Sequence, residues 1–241
     1  MTMQNRGAAF RRRPDSRGIC LSIWRKPTMH HTRIIDVMAC GAAGDGSTLD
    51  TAAVNRAIET CASKGGGQVF FPPGHYLSGT VVLRSHVSLR LEAGARLMGA
   101  PDLSLYQSYS APAGTPEAKS PEWHRALVLG VNVEDVSIVG EGVIDGQCVF
   151  DAHGEEHMRG PHAVLIGSSH DVSIRGISLS DAANYAILIE FSDQIEVRDV
   201  KICGGWDGVH FRGWLDRPCK GLSIIGCRFF TGDDAIAGRY A

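Results

Sequence analysis

Four runs in the second half of the sequence resemble one another closely enough to constrain the fold. They are VSIVGEGVIDG at 136–146, VSIRGISLSDA at 172–182, IEVRDVKICGG at 195–205 and LSIIGCRFFTG at 222–232. In the last three, apolar residues occupy positions 0, 2, 5 and 7, and the four runs start 36, 23 and 27 residues apart. This alternation indicates two short strands joined by a bend at Gly or Asp. A period in the low twenties is typical of a solenoid of stacked coils.

A parallel β-helix fits this repeat better than two competing folds do. Leucine-rich repeats share the period, but these runs lack the Asn- or Cys-centred leucine motif. A Rossmann-type fold needs helices of about 10–15 residues between its strands. The segments 182–194 and 206–221 have no such apolar pattern. The sequence therefore predicts an all-β chain, a right-handed parallel β-helix in which equivalent positions of successive coils stack about 4.8 Å apart.

An α-helix is predicted ahead of the β-rich part, over residues 50–63. Thr48 or Asp50 is placed to cap its N-terminus, and the glycines at 65–67 end it. Its apolar stripe at helical spacing consists of Ala53, Val54, Ala57, Ile58 and Cys61. We expect this helix to cap the first coil, whose open edge would otherwise invite pairing with another strand.

The charge of the chain is unevenly distributed. Residues 1–33 hold 8 of the 24 Lys and Arg and 1 of the 26 Asp and Glu, so the remainder carries a net charge of −9. An acidic body argues against a nucleic-acid partner. No apolar run approaches the ~20 residues of a membrane-spanning helix, which argues against a membrane partner. We expect residues 1–30 to be a basic extension, disordered or preceding the true start, and residues 31–241 to form the β-helix domain.

Two segments interrupt the repeat, 99–125 and 147–161, and we expect both to project as loops beside a binding cleft. Arg159 lies near the end of the second segment, where it either lines the cleft or ends the loop. The same segment contains His153 and His157, four residues apart. They do not form the H-E-x-x-H motif, so an ordinary polar loop is favoured over a zinc site.

Three aspartates fall at matching positions of neighbouring repeats. Asp207 lies 12 residues after Ile195. Asp234 lies 12 residues after Leu222, and Asp233 precedes it. If the coils stack in phase, the three carboxylates are neighbours, and at least one should keep its proton to a higher pH. Glycosidic hydrolysis needs one protonated acid and one ionised base. The structural alternative is that Asp-Gly is a common turn dipeptide.

The sequence around these aspartates also carries motifs of a known family. WDGV at 206–209 and TGDDAI at 231–236 are similar to its Asn-Thr-Asp-Gly-Ile and Gly-Asp-Asp-x-Ile motifs, and GEGVIDGQ at 140–147 is similar to its Gly-x-Gly-x-Ile-Asp-Gly coil. The chain therefore resembles glycoside hydrolase family 28, the polygalacturonase family, over about residues 34–241. The opening at 41–76 resembles the wider pectate-lyase-like β-helix superfamily, whose functions vary.

This resemblance implies an inverting hydrolysis of a pectin-like polysaccharide or oligosaccharide. Asp233 would be the general acid, while Asp207 and Asp234 would activate the attacking water. The family needs no metal and no organic cofactor. Two departures stand out: Trp206 replaces the family's usual Thr, and the family's Gly-His-Gly and Arg-x-Lys motifs do not follow Asp234. The chain thus resembles the first two-thirds of a hydrolase, truncated at its C-terminus.

Five residues are candidates for substrate binding: Trp206, His210, Arg212, Arg159 and Arg239. His210 and Arg212 follow Asp207 at alternate positions of a predicted strand, so they share one face. The open alternative is that this face is merely solvated. Arg239 follows the acidic pair, where it either replaces a missing cation or belongs to a frayed terminus.

Two other functions stay open. One is a non-catalytic, carbohydrate-binding or structural β-helix, or an inactive fragment. The other is a polysaccharide lyase, which eliminates instead of hydrolysing and usually needs Ca²⁺ near carboxylates. The sequence does not determine the sugar, the endo or exo mode, or the oligomeric state. Localisation is open as well: the family is expected outside the cell or in the periplasm, but the apolar stretch at 19–24 is short for a signal peptide.

Overall fold

The computed structural model describes residues 33–113, 124–214 and 216–240. The predicted extension at 1–30 lies outside these residues, as does part of the predicted loop at 99–125. Within the described ranges, strands form three parallel sheets that wind into a right-handed parallel β-helix, which confirms the predicted fold class.

Each coil contributes its strands to the three sheets in turn. The first sheet contains β1 (Ile34–Asp36), β3 (Gly67–Phe71), β6 (Val87–Leu91), β9 (Glu134–Gly140), β12 (His170–Arg175), β15 (Asp193–Arg198) and β18 (Ser223–Ile225). The second contains β2 (Asp45–Leu49), β4 (Gly74–Ser78), β7 (Ala95–Gly99), β10 (Val143–Asp145), β13 (Ser178–Ser180), β16 (Lys201–Cys203) and β19 (Arg228–Phe230). The third contains β5 (Val81–Val82), β8 (Ala126–Val131), β11 (His162–Gly167), β14 (Ile187–Glu190), β17 (Val209–Gly213) and β20 (Ile236–Tyr240).

The apolar positions of the repeats stack in columns along the axis. Val172 pairs with Val136 on one side and with Ile195 on the other. Leu179 pairs with Ile202 in the second sheet. All five side chains are buried in one continuous core. The alignment of repeats read from the sequence is therefore the register of the coils.

The bend between the first and second sheets requires a left-handed backbone. Gly140, Gly176, Asp199 and Gly226 occupy this corner in four successive coils, and each has a positive φ. Glycine adopts this region without steric cost, and Asp tolerates it better than most residues. The Gly or Asp between the two halves of each repeat is thus the residue that turns the chain.

The single predicted helix is present as α1 (Thr51–Ser63) and packs its apolar stripe over the first coil. Its predicted cap is wrong in detail. Asp50 occupies the N-cap position, but its carboxylate accepts hydrogen bonds from the backbone of Ala43 at 2.6 Å and Gly44 at 3.0 Å. The preceding turn, not the helix, uses this side chain. Among the described residues, no helix is long and apolar enough to cross a membrane.

Two loop segments cover the outer face of the third sheet on one side. Tyr109 and Ala111, from the first loop, pack on the outward-facing leucines of β8, β11 and β14. The second loop contains a short 3-10 turn at Glu155–His157 and reaches towards β17. The position of both loops is consistent with the cleft expected from the sequence.

Candidate active site

The candidate site lies on the outer face of the third sheet, at strand β17. Side chains alternate along a strand, so Val209 and Phe211 pack into the core while His210 and Arg212 face outwards. Asp207 lies at the corner just before the strand. His210 and Arg212 are nevertheless each only 8% exposed. Neighbouring coils and the second loop cover them, so the face is not simply solvated.

Asp207 is held at this corner by its backbone and by its side chain. Its carbonyl oxygen accepts a hydrogen bond of 2.9 Å from the amide of Ala186 on the preceding coil. Its carboxylate Oδ2 lies 2.6 Å from Nδ1 of His210. The side chain is therefore oriented on both ends, although Asp207 belongs to a turn dipeptide. Orientation of this kind is what distinguishes a candidate base from an ordinary turn residue.

His210 is held as a neutral ring. The Nε of Arg212 donates a hydrogen bond of 3.2 Å to its Nε2. Burial lowers the pKa of His210 below its ordinary value of 6.5. The hydrogen bond to Asp207 acts in the opposite direction, and the Arg212 cation lowers the pKa again. Both ring nitrogens therefore have protein partners. The sequence suggested His210 as a candidate for substrate binding, and that role stays a prediction.

His210 is the last of three stacked rings, and the other two come from the preceding coils. The ring of Tyr185 lies 4.3 Å from that of His210 at an interplanar angle of 13°, and His162 stacks on the other side at 5.1 Å. The Tyr185 hydroxyl accepts from Nη2 of Arg212 at 3.1 Å and donates to Glu155 at 3.3 Å. Burial raises the pKa of Tyr185 to about 12. The phenol thus stays protonated and joins the loop to β17.

Arg159 contacts Trp206. The sequence left open whether Arg159 lines the cleft or ends the loop. The guanidinium carbon of Arg159 lies 4.2 Å from the centroid of the Trp206 ring, a cation–π contact. Its Nη2 lies 2.9 Å from Oε1 of Glu156, and its Nη1 lies 3.9 Å from Glu155. The second loop therefore lines the site, and the charge of Arg159 is already paired with carboxylates of the same loop.

Asp233 and Asp234 lie on the next coil, beside Asp207. The amide of Asp233 donates to the carbonyl of Trp206 at 2.9 Å, and the carbonyl of Asp234 accepts from Gly208 at 2.9 Å. The pairing of Val209 with Ile236 extends this register. The structure thus brings Asp207 and Asp234 to equivalent positions of adjacent coils. Unlike Asp207, both later aspartates are exposed to solvent.

Arg212 also belongs to a column of charged side chains. It pairs in register with Glu190 on the preceding coil and with Arg239 on the following one. Glu190 is fully buried, and its Oε1 lies 3.3 Å from Nε2 of His124 and 3.8 Å from Nη1 of Arg212. Arg239 is exposed. Two of the three arginines proposed from the sequence, Arg212 and Arg239, therefore lie side by side, with Arg212 anchored and Arg239 facing solvent.

Three contributors to the site were missed by the sequence reasoning: Tyr185, Glu155 and Glu190. In the third sheet the register places Tyr185 beside Asp207, one coil earlier. The sequence offset of 12 residues, counted from Val172, gives Asn184 instead, so the repeat pointed only to the neighbouring residue. Nothing in the repeat pointed to Glu155, since it lies in the loop at 147–161.

The histidine pair considered for zinc lies in the same loop. The His153 ring is 92% exposed, with its Nδ1 3.9 Å from Asp151. Across the parts of the chain that the structure describes, no group of three or more His, Cys, Asp or Glu side chains is arranged to hold a metal ion.

The lowered pKa of His210 predicts a pH-dependent contribution to stability. Because the folded-state pKa lies below that of the unfolded chain, the unfolded chain binds the proton first as the pH falls. The stability that neutral His210 contributes should be fully present above pH 6.5 and should decrease as the pH falls towards the folded-state pKa. In urea unfolding, the difference in unfolding free energy between the wild type and His210→Asn should therefore become smaller below pH 6.5. A difference that stays constant or grows would contradict the neutral ring.

Comparison with known proteins matches the chain to a pectate lyase-like family and to proteins named polygalacturonases. A family model described as rhamnogalacturonase A/epimerase, pectate lyase-like, matches residues 34–223. A probable polygalacturonase of Vitis vinifera is 28% identical over 223 residues, which are 86% of this chain and 44% of that protein. A hyperthermoactive exopolygalacturonase of Thermotoga maritima superposes with a TM-score of 0.71 at 22% identity, over 87% of this chain and 55% of the other.

Another relative is named for binding proteins and not for hydrolysis. Plasmin and fibronectin-binding protein A of Streptococcus pneumoniae is 30% identical over 180 residues, which are 70% of this chain and 24% of that protein. The chain thus spans less than half the length of both curated relatives.

Proposed function

The chain belongs to the rhamnogalacturonase A/epimerase, pectate lyase-like family, and on that premise we propose that it hydrolyses glycosidic bonds of a pectin-like polysaccharide or oligosaccharide. The polygalacturonase names of its relatives support this substrate class. The family model matches residues 34–223, which include Asp207 and end before Asp233 and Asp234.

The observation that carries the proposal is the alignment of three carboxylates across two adjacent coils. Asp207 is buried and held by His210, while Asp233 and Asp234 are exposed at the same corner. A buried, oriented carboxylate beside solvated ones gives the two environments that acid and base chemistry needs. Because Asp233 and Asp234 are exposed, a sugar chain can reach them from solvent.

The proposed reaction uses carboxylates from both coils. Asp233 donates its proton to the oxygen of the leaving sugar as the glycosidic bond breaks. Asp207 and Asp234 take a proton from a water molecule, whose oxygen attacks the anomeric carbon from the opposite side. One water is consumed, and the anomeric configuration is inverted.

Product analysis tests this reaction class directly. With pectin-derived oligosaccharides, reducing ends should increase without the ultraviolet absorbance of an unsaturated sugar, and proton NMR should show the inverted anomer first. Absorbance that depends on added Ca²⁺ would establish the lyase alternative instead. A product that first appears with retained configuration would contradict the division of roles among the aspartates.

The second candidate is a non-catalytic binding β-helix. The pneumococcal relative supports it, since its name describes binding to proteins and no catalysis. A wild-type chain that binds pectic oligosaccharides or host proteins but never releases reducing ends would favour this reading.

A further inference from the structure

We propose that Arg212 fixes the tautomer of His210 and that these two side chains are positioning residues for Asp207. The inference rests on the proposed function, because it assumes that Asp207 accepts a proton from the attacking water. It assigns His210 and Arg212 a role other than contact with the sugar.

The hydrogen bonds allow one tautomer of His210. A guanidinium group only donates, so the Nε2 atom that lies 3.2 Å from Nε of Arg212 must be the acceptor. A neutral imidazole carries one hydrogen, which therefore sits on Nδ1. That hydrogen points at Oδ2 of Asp207, 2.6 Å away. The carboxylate is left with Oδ1 as the oxygen that faces the water.

Arg212 is itself fixed from the preceding coil. Its Nη2 donates to the hydroxyl of Tyr185 at 3.1 Å, and its Nη1 lies 3.8 Å from the buried carboxylate of Glu190. Three contacts in three directions hold the planar guanidinium in one orientation. The hydrogen bond to His210 thus comes from a donor that does not rotate away.

Burial is the largest influence on His210 and disfavours its protonated form. The charges that face the ring oppose one another, since Arg212 disfavours a second cation while Asp207 and Glu155 favour it. On β17 and its corner these are Arg212 and Asp207, and through the Tyr185 hydroxyl the loop adds Glu155. The neighbours in register on the adjacent coils, Leu188 and Ala237, carry no charge. Protonating His210 would place a second cation against Arg212 in a site screened from water.

Histidine NMR tests the tautomer without relying on activity. In protein labelled with ¹⁵N-histidine, the resonances lost in His210→Asn identify the ring. The wild type should show a neutral ring with hydrogen on Nδ1 at about pH 7 to 8. In Arg212→Met the Nε2 atom loses the donor that blocks it, so the ring should take up a second proton at a higher pH than in the wild type, whereas Arg212→Lys, which retains a donor, should largely keep the neutral ring.

The matched control is Arg198→Met, which removes an arginine that pairs with Glu196 on the first sheet. It should leave the His210 resonances unchanged. A wild-type ring that carries its hydrogen on Nε2, or a ring unchanged in Arg212→Met, would overturn the proposal whatever the activity.

Kinetics then separate positioning from simple structural support. In Arg212→Met the acid limb of kcat should move to higher pH, because His210 now protonates more easily and weakens Asp207 as a base. A shift of one pH unit corresponds to about a 10-fold loss of kcat on that limb, with KM changing less. An equal loss at every pH would indicate a structural role only. If the wild type shows the expected tautomer yet turns over no substrate, the proposed function fails and the tautomer assignment stands.

Discussion

Asp233→Asn should abolish most of the hydrolysis of pectic oligosaccharides. Asparagine cannot donate a proton to the leaving oxygen, and a general acid contributes roughly 10²- to 10⁴-fold to a rate. The loss should appear in kcat, measured by the release of reducing ends. Binding should change little, because Asp233 is exposed and its backbone contacts to Trp206 do not involve the side chain. Isothermal titration with the intact oligosaccharide measures that binding.

Asp216→Asn is the matched control for this substitution. Asp216 is also an exposed aspartate on the same coil as Asp207, but it lies beyond the other end of β17. Its substitution should leave kcat within twofold of the wild type. Unchanged turnover in Asp233→Asn would remove Asp233 as the acid. Equal losses in both variants would point to a general effect of charge.

Gly140→Ala should be strongly destabilising, although this residue lies outside the site. Gly140 turns the chain between the first and second sheets with a φ of +121°, and an added Cβ would lie 2.0 Å from the carbonyl oxygen of Leu91. Backbone flanks this position, so relief requires the corner to move. We expect a loss of about 3–5 kcal/mol in the free energy of unfolding, or failure to fold, measured by urea denaturation.

Gly65→Ala separates this clash from the cost of the left-handed backbone alone. Gly65 also has a positive φ, +85°, but nothing lies within 4 Å of its added Cβ. Its substitution should cost only about 1–2 kcal/mol. If both variants lose the same free energy of unfolding, the clash of the added Cβ with Leu91 does not explain the loss in Gly140→Ala.

The β-helix was predictable because each coil repeats the same core-facing positions and the same left-handed corner. A residue at position 0 or 2 faces the core in every coil, so Val172 and Ile195 show the same alternation and stack in register. The corner needs a left-handed residue, so Gly176 and Asp199 mark it in the sequence. Both signals arise within a few residues of the chain, where spacing alone determines direction. The alignment of Asp207 with Asp234 follows from the same rule.

The contacts that complete the site could not be derived in this way. Glu155 reaches Tyr185 from a loop whose conformation is set by its own turn and by packing on distant coils. The burial of His210 depends on that packing, so its neutral state and its bond to Asp207 had no counterpart in the spacing. The misassigned cap of α1 has a similar origin, since Asp50 binds the turn at 43–44. Side-chain partners far apart in sequence are decided by tertiary structure.

The acid and the base of the proposed reaction are supplied by neighbouring coils, joined by the backbone hydrogen bonds at Trp206 and Gly208. In a solenoid each unit touches only its neighbours, so stability is a sum over local junctions. Turnover would therefore depend on the junction between the coil of Asp207 and the coil of Asp233. If this junction unfolded locally, turnover would stop while distant coils kept their structure, so heat inactivation and the melting of the sheets should occur as separate events.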